Sequence, residues 1–569
     1  MKKLLLLIAC CYSLNTSAQK RPPFIDFLNQ RNTWVDSVFK SMSHAEKLGQ
    51  LFMVRAHTDK GVEYSEKVAK LIKDNHIGGV VFFQGGPERQ AALTNQYQQL
   101  VKVPLMIAMD AEWGVGMRLD STISYPFQMT LGAMQNDQLL YKMGEQVAKD
   151  FKRLGMHINF APAVDVNNNA NNPVINFRSF GENKYNVADK GIAYMKGMQE
   201  NGILTTAKHF PGHGDTDVDS HYDLPQLNFT RTRLDTLEMY PFKKIMANGV
   251  GGVMVGHMNI PSLDPTPTLS SSLSKPIVTG ILKNEFGFKG LVVSDAMDMK
   301  GVVKFFPNGQ ADVKALIAGL DVIELSEDVE RAIKMVKKAI KAKQISWEEI
   351  DAKVKKILYA KYWLGLDNYQ PVSTANVFRD LNRQESTTLI QQMADASITV
   401  LKGTAAFPLR NDFVRKTVIL NVGSSENTVF SNTLKKIKPG ALVINIPKNV
   451  GELELATIRT TVKQYDQIVM AVIDSRSRPA SKLDFPNHLT QFISEFSTKN
   501  TITALFANPY VISGIPGFER SASILLGYQN LPEIQLAASK VILGTLKANG
   551  KLPVSVNAFF KYGDGILMR

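Results

Sequence analysis

Leu291-Val292-Val293-Ser294-Asp295 is a run of three apolar, strand-forming residues that ends on a hydroxyl and a carboxylate. The pattern recurs along the chain. Leu105–Asp110, Ile158–Val166 with Asp165 near its end, Thr205–His209 and Gly252–His257 are all near-continuous apolar runs that close on a charged or titratable side chain. Gln50–Ala56, Gly79–Gln84 and Val322–Leu325 bring the set to eight. A run that is apolar at every position, rather than at alternate ones, is a strand buried on both faces. Between the runs lie segments of helical period. Val68, Leu71 and Ile72 mark one stripe in Tyr64–Asn75, and Met143, Val147 and Phe151 mark another in Leu139–Leu154. Further helices are expected over Leu234–Ala247, Pro276–Glu285, Gln310–Ala318 and Val329–Lys343. Eight strands alternating with helices over roughly 350 residues make a (β/α)8 TIM barrel. A doubly wound open sheet is the rival, but it places its ligand at one switch point. Here Asp110, Asp165, Lys208, His209, His257 and Asp295 stand at the ends of successive strands, and only a barrel converges them on one face.

Outward from the barrel, a charged helical stretch, Trp347–Leu364, ends the first unit, expected over 19–366. Residues 367–374, with Pro371, read as a linker. The strand pattern restarts near Ile398–Leu401, Thr417–Val422, Ala441–Ile446, Gln467–Ile473, Thr501–Phe506 and Ala522–Leu526. With helices such as Leu453–Tyr465 and Pro486–Phe496 between them, residues 375–569 are expected to form a three-layer α/β sandwich. This second domain contains no Gly-rich phosphate loop.

The chain has 569 residues, 44% of them hydrophobic and 21% charged, which excludes intrinsic disorder and collagen-like architectures. Met1-Lys2-Lys3 followed by Leu4–Ala9 is the charged and short apolar start of a signal peptide, and Thr16-Ser17-Ala18 offers small residues for cleavage. The expected signal peptide is therefore 1–18, and the protein is expected to be exported, to a periplasm or beyond. Leu7-Ile8-Ala9-Cys10 also fits a lipobox, which would place a lipid anchor on Cys10. No apolar run approaches the ~20 residues of a spanning helix, so stable membrane insertion is not expected. Both cysteines, Cys10 and Cys11, lie in the leader, so the mature chain has no disulfide and no thiolate nucleophile. The formal charge of +14 loses only Lys2 and Lys3 on cleavage. The basic residues are dispersed, with no arm or aromatic-basic stripe, so nucleic acid is not the expected partner.

Three of the nine histidines fall within Lys208-His209-Phe210-Pro211-Gly212-His213-Gly214-Asp215-Thr216-Asp217-Val218-Asp219-Ser220-His221. Pro and two Gly make this a loop leaving a strand. A calcium loop on Asp215, Asp217 and Asp219 would want Gly next and Glu at its twelfth position, where Ser220 and Gln226 stand. Zinc on His209 and His213 lacks the helical i, i+4 geometry across Pro211-Gly212. No metal and no cofactor is expected. An acid–base dyad remains, Asp219 orienting and charging His221. Lys208 and His209, at the end of an apolar strand, are costly there without a purpose. Asp295 is placed as a nucleophile toward an anomeric carbon, and Asp298 as a cap for the following turn. His257 reads equally as a ligand contact or a structural histidine.

With these motifs in view, the sequence resembles a family 3 glycoside hydrolase, in its β-N-acetylglucosaminidase branch. The resemblance runs from about Asp36 to the C-terminus. It rests on Lys208–Gly214 followed by Asp219-Ser220-His221, on Arg178-Ser179-Phe180-Gly181 and on Ser294-Asp295. It implies Asp295 as nucleophile, His221 as acid/base and Asp219 as its partner, with Asp110, Arg118, Arg178, Lys208 and His209 binding sugar. The β-glucosidase branch takes its acid from a second-domain glutamate and has Trp after the nucleophile; Ala296 stands here. Asp110-Ala111-Glu112-Trp113-Gly114 departs from the commoner Asp-Gln-Glu-Gly-Gly, placing Trp113 at the pocket rim. The expected activity is exo-acting, retaining hydrolysis of terminal β-linked N-acetylglucosamine from an oligosaccharide or muropeptide. The alternatives are a β-N-acetylglucosaminide phosphorylase, since a neutral histidine repels phosphate less than glutamate, and a non-catalytic glycan-binding module.

Overall fold

The computed structural model describes residues 21–28, 30–220, 222–409 and 415–568. The expected leader with Cys10, and His221, lie outside the described residues. The eight apolar runs all form strands: β1 (Phe52–Ala56), β2 (Gly79–Phe82), β3 (Met106–Met109), β4 (Ile158–Asn159), β5 (Leu204–Phe210), β6 (Gly252–Val255), β7 (Leu291–Ser294) and β8 (Ile323–Glu324). They are all parallel, in the order β7-β6-β5-β4-β3-β2-β1-β8. The ends of that row meet: Ser294 N–H donates to Val322 O at 3.0 Å and Asp321 N–H to Val292 O at 2.7 Å, which makes the sheet a nearly closed barrel. Burial on both faces explains the unbroken apolar runs, since one face fills the barrel and the other meets helices.

Three elements differ from expectation, two of them because of a proline. Of Ile158–Val166 only Ile158 and Asn159 are ladder residues. Pro162 has no N–H to give, and the chain follows its neighbour through single bonds such as Val164 N–H to Lys208 O (2.8 Å). The helix expected over Leu234–Ala247 is two, Arg231–Thr236 and Tyr240–Ala247, because Pro241 is tolerated only in a first turn. Pro276–Glu285 winds as a π-helix. Elsewhere the helical stripes hold. Gln138–Arg153 and Lys184–Gln199 pack closely where Gly144 faces Gly197: a Cβ on Gly197 would lie 2.1 Å from Tyr141 O. Among the described residues no helix is long and apolar enough to cross a membrane.

The second sheet holds β9 (Thr399–Lys402), β10 (Thr417–Val422), β11 (Leu442–Ile446), β12 (Gln467–Ile473), β13 (Thr501–Phe506) and β14 (Ser523–Leu526), in the order β11-β10-β12-β13-β14-β9. Only β9 runs antiparallel. Alternate residues feed two cores. Ile468, Met470 and Val472 face Leu455, Leu489 and Phe492, whereas Val469, Ala471 and Ile473 face Phe430, Ile534 and Val541. That is a three-layer α/β sandwich. Its first core also takes in Met129 and Ala133, which belong to the barrel unit, so the two domains share buried apolar surface.

Candidate active site

The C-terminal ends of the barrel strands surround a pocket of about 530 Å³. Asp110, Arg118, Arg178, Lys208, His209, Asp219 and Asp295 all line it, as the sequence leads one to expect. His221 is outside the described residues. Asp219 closes a turn through its carbonyl, which accepts Tyr222 N–H at 2.9 Å.

One side of the pocket is an ion-pair network. Lys208 Nζ lies 2.7 Å from Asp110 Oδ1 and 2.9 Å from Glu112 Oε1. Arg118 takes the other oxygen of Asp110 at 2.6 Å, and Arg178 takes Glu112 at 2.6 Å. Burial alone would push both carboxyls up, but Lys208 with Arg118, and Arg178 with Lys208, hold them well below the usual range. Burial likewise works against the Lys208 charge, and Asp110 and Glu112 more than restore it. Buried ion pairs of this kind are a poor source of stability compared with apolar packing. Their worth here is a rigid fan of donors and acceptors at fixed positions, suited to sugar hydroxyls. Glu112 is the hub that sequence reasoning missed, although it lies inside a quoted motif.

Asp165, in the segment after β4, holds the histidine wall formed by the end of β5 and its loop. Its carboxylate accepts His209 Nδ1–H at 2.8 Å and His213 N–H at 2.7 Å. Burial opposes its ionisation and His209 restores it, to a pKa below the ordinary one. His213 is buried and its pKa falls to about 4, so it is a neutral brace, held by Thr216 (2.8 Å) and Ser220 (3.2 Å).

Asp295 follows β7 directly. Burial raises its pKa, but His209, His257 and the Ala296 N–H, which donates to Oδ1 at 2.8 Å, outweigh that and leave it ionised. His257 resolves to the structural reading and is not on the pocket wall. It is fully buried, and its Nε2 faces Ala296 O at 3.0 Å, which can only accept. Nε2 therefore carries the proton, and Nδ1 accepts from Ser272 Oγ–H at 2.7 Å. It fixes the loop that carries Asp295 and has no donor left for sugar. The capping role expected of Asp298 is also corrected. Its carboxylate pairs with Arg55 at 2.7 Å, and the helix Lys300–Val303 begins at Met299 without a side-chain cap. Arg55, at the end of β1, competes for Asp298 with the full charge that a backbone N–H lacks.

Glu324, at the end of β8, is the second residue missed. It is 3% exposed, lines the pocket, and its Oε2 has no hydrogen-bond partner among the described residues. Burial and then the charges of Asp110 and Asp295 push its pKa up, against Lys208 and Arg55, which favours the protonated form. The signal was a glutamate inside the apolar run Val322–Leu325, the same anomaly as Lys208 in β5. Trp113 does stand at the rim, edge-on to Phe127 at 4.8 Å, and across from it Arg478–Ser481 reach in from the second domain.

A family model described as the glycosyl hydrolase family 3 N-terminal domain matches residues 43–360. The beta-hexosaminidase A of Pseudoalteromonas piscicida is 28% identical over 86% of this chain and 91% of its own. The beta-hexosaminidase of Nitrosomonas eutropha is 29% identical over 45% of this chain but 75% of its own, leaving little length there for a second domain of this size. Among solved structures, a glycoside hydrolase family 3 beta-N-acetylglucosaminidase from Paenibacillus sp. FPU-7 is 31% identical, with a TM-score of 0.76 over 90% of this chain and 99% of that one. A beta-glucoside phosphorylase superposes with a TM-score of 0.80 over 93% and 96%, at 23% identity, and that likeness speaks for the fold alone.

Proposed function

Because the chain belongs to glycoside hydrolase family 3, and is thereby an enzyme that cleaves glycosidic bonds, we propose that it is an exported, retaining, exo-acting β-N-acetylglucosaminidase of peptidoglycan fragments. One observation carries the reading. An ionised, buried carboxylate, Asp295, opens into the same pocket as the Asp110–Lys208–Glu112–Arg178 network. In the proposed reaction the network and His209 hold the terminal sugar by its hydroxyls and acetamido oxygen. Asp295 attacks the anomeric carbon as the aglycone oxygen departs, and His221, charged and oriented by Asp219, gives that oxygen its proton. Water then attacks the glycosyl-aspartate, losing its proton to His221, and releases sugar of retained configuration. The loop sequence Lys208–His221 supports the acetamido-sugar assignment, and the leader-like residues 1–18 support export.

The test is hydrolysis of a chromogenic β-N-acetylglucosaminide beside the matching β-glucoside, with and without phosphate. The expected result is strong preference for the former and free N-acetylglucosamine as product in both buffers. Equal or better cleavage of the glucoside, or a sugar 1-phosphate as the main product, overturns the proposal.

A further inference from the structure

Five arginine and lysine side chains line the sugar pocket, and four are neutralised by the protein. Arg55 pairs with Asp298, Arg118 with Asp110, Arg178 with Glu112, and Lys208 with Asp110 and Glu112. The fifth, Arg478, is exposed, and no carboxylate among the described residues lies within ion-pair distance of it. It is also the only one supplied by the second domain. The loop that carries it is built rather than loose. Two residues earlier, Arg476 donates to both oxygens of Asp474 (2.6 and 2.9 Å) and to Lys482 O (2.7 Å), which ties the two ends of the loop together. One arginine is thus consumed in shaping the loop, and the other is left to face the pocket.

Behind Arg478 lies a second cavity of about 440 Å³. It shares Trp113, Met117, Arg118, Arg478 and Pro479 with the sugar pocket, so the two spaces adjoin. Asp474, Phe506 and Gln529 place it beyond the carboxyl ends of β12, β13 and β14, the crevice where open α/β sheets accept ligands. An exo-enzyme needs room for an aglycone outside its closed sugar pocket, and this cleft is that room. We infer that Arg478 and the cleft behind it form a subsite for a saccharide aglycone that carries a carboxylate. The inference rests on the proposed activity and names the substrate class it selects. A guanidinium at a pocket mouth, unpaired and preorganised by its loop, gains most from a planar anion that it can bind through two N–H groups.

The experiment compares three substrates on the full chain: N-acetylglucosaminyl-muramic acid with a free lactyl carboxylate, the same disaccharide bearing a dipeptide whose carboxylates lie further out, and neutral chitobiose. The wild type is expected to show the lowest KM for an acidic substrate, and whichever acidic arm is preferred locates the carboxylate. Arg478→Gln should raise KM for that arm ~5–20-fold, leave kcat near its wild-type value, and leave chitobiose and an aryl N-acetylglucosaminide unchanged. Arg478→Lys should recover part of the loss, and raising salt should weaken acidic-substrate binding in the wild type more than in Arg478→Gln. Equal KM for acidic and neutral substrates in the wild type, or an equal loss on all of them in Arg478→Gln, overturns the inference. If no N-acetylglucosaminide is cleaved at all, including the aryl one, the proposed activity has failed instead.

Discussion

At the scale of single residues, the pocket drives two carboxyls of similar intrinsic acidity in opposite directions. Asp295 receives the Ala296 N–H and faces His209 and His257, so its charge survives burial. Glu324 has no such donor and faces the charges of Asp110 and Asp295, so its protonated form is favoured. Pairs pushed apart in this way are how one site holds a nucleophile and a neutral acid at the same pH. The Glu324 proton has a cost visible in stability. Its folded-state pKa is raised, whereas in the unfolded chain a glutamate ionises near ~4.3. The unfolded state therefore gains, and the folded state loses ground, as pH climbs above that value toward the folded one. Glu324→Gln is neutral at every pH and escapes the loss. Its melting temperature relative to wild type should rise between pH 4 and 8 by ~1–3 °C, read by thermal unfolding across that range; a difference that stays flat with pH would show Glu324 ionised in the fold. The proposed acid His221 has a different signature. A saccharide leaving group needs its proton, so His221→Ala should slow that substrate by ~10²–10⁴. An activated aryl group departs nearly unaided, so the glycosyl-Asp295 should accumulate as a burst and azide should rescue turnover. Equal slowing of both substrates, without burst or rescue, would make His221 a binding residue.

At the scale of elements, legibility followed burial. Strands buried on both faces announce themselves as unbroken apolar runs, so the barrel strands and the inner strands of the second sheet were readable without a partner sequence; the edge strand β11, buried only at Ile446, shares their β-branched composition. What failed was wherever proline or a long-range partner overrode the local pattern. Pro162 cut β4 to two ladder residues, and Pro241 split one helix into two. Asp298 looked like a cap because nothing nearby in sequence revealed Arg55, 243 positions away. The site was legible in the same uneven way. Residues that violate their element, such as Lys208 in an apolar strand, were found by the violation alone. Glu112 lies in a polar turn where a carboxylate is unremarkable, and its role follows only from Lys208 arriving on β5 and Arg178 on the loop after β4. Arg478 was invisible for a stronger reason, since no local pattern says that a second-domain loop lies over the barrel mouth.

At the scale of the whole molecule, the second domain braces the sugar pocket as well as bordering it. The barrel loop after β4 carries Arg178 at its end and is held mainly by side-chain amides. Asn167 Oδ1 accepts Asn176 N–H at 3.1 Å, and Asn167 Nδ2 donates to Tyr510 Oη of the second domain at 3.0 Å. Asn176 Oδ1 in turn accepts from Asn508 Nδ2, and Glu182 beyond the loop binds Ser555 through both N–H (2.6 Å) and hydroxyl (2.7 Å). Arg178, two residues past Asn176, meets Glu112 and so Lys208. A chain of buried polar contacts thus runs from β13's end to the proposed sugar-binding guanidinium, with Tyr510 Oη as a link that can be removed alone. Tyr510→Phe keeps the ring in its apolar setting and leaves Asn167 Nδ2 with only Asn169 O at 3.2 Å. One neutral hydrogen bond is worth about 0.5–1.5 kcal/mol, which corresponds to a factor of roughly 2–10. If the brace aligns Arg178, that factor should appear in KM for an aryl N-acetylglucosaminide, with kcat nearly constant and the melting temperature lowered by no more than ~2 °C. A lowered melting temperature with unchanged KM would mean that Tyr510 merely glues the domains together, and that the barrel holds Arg178 without them.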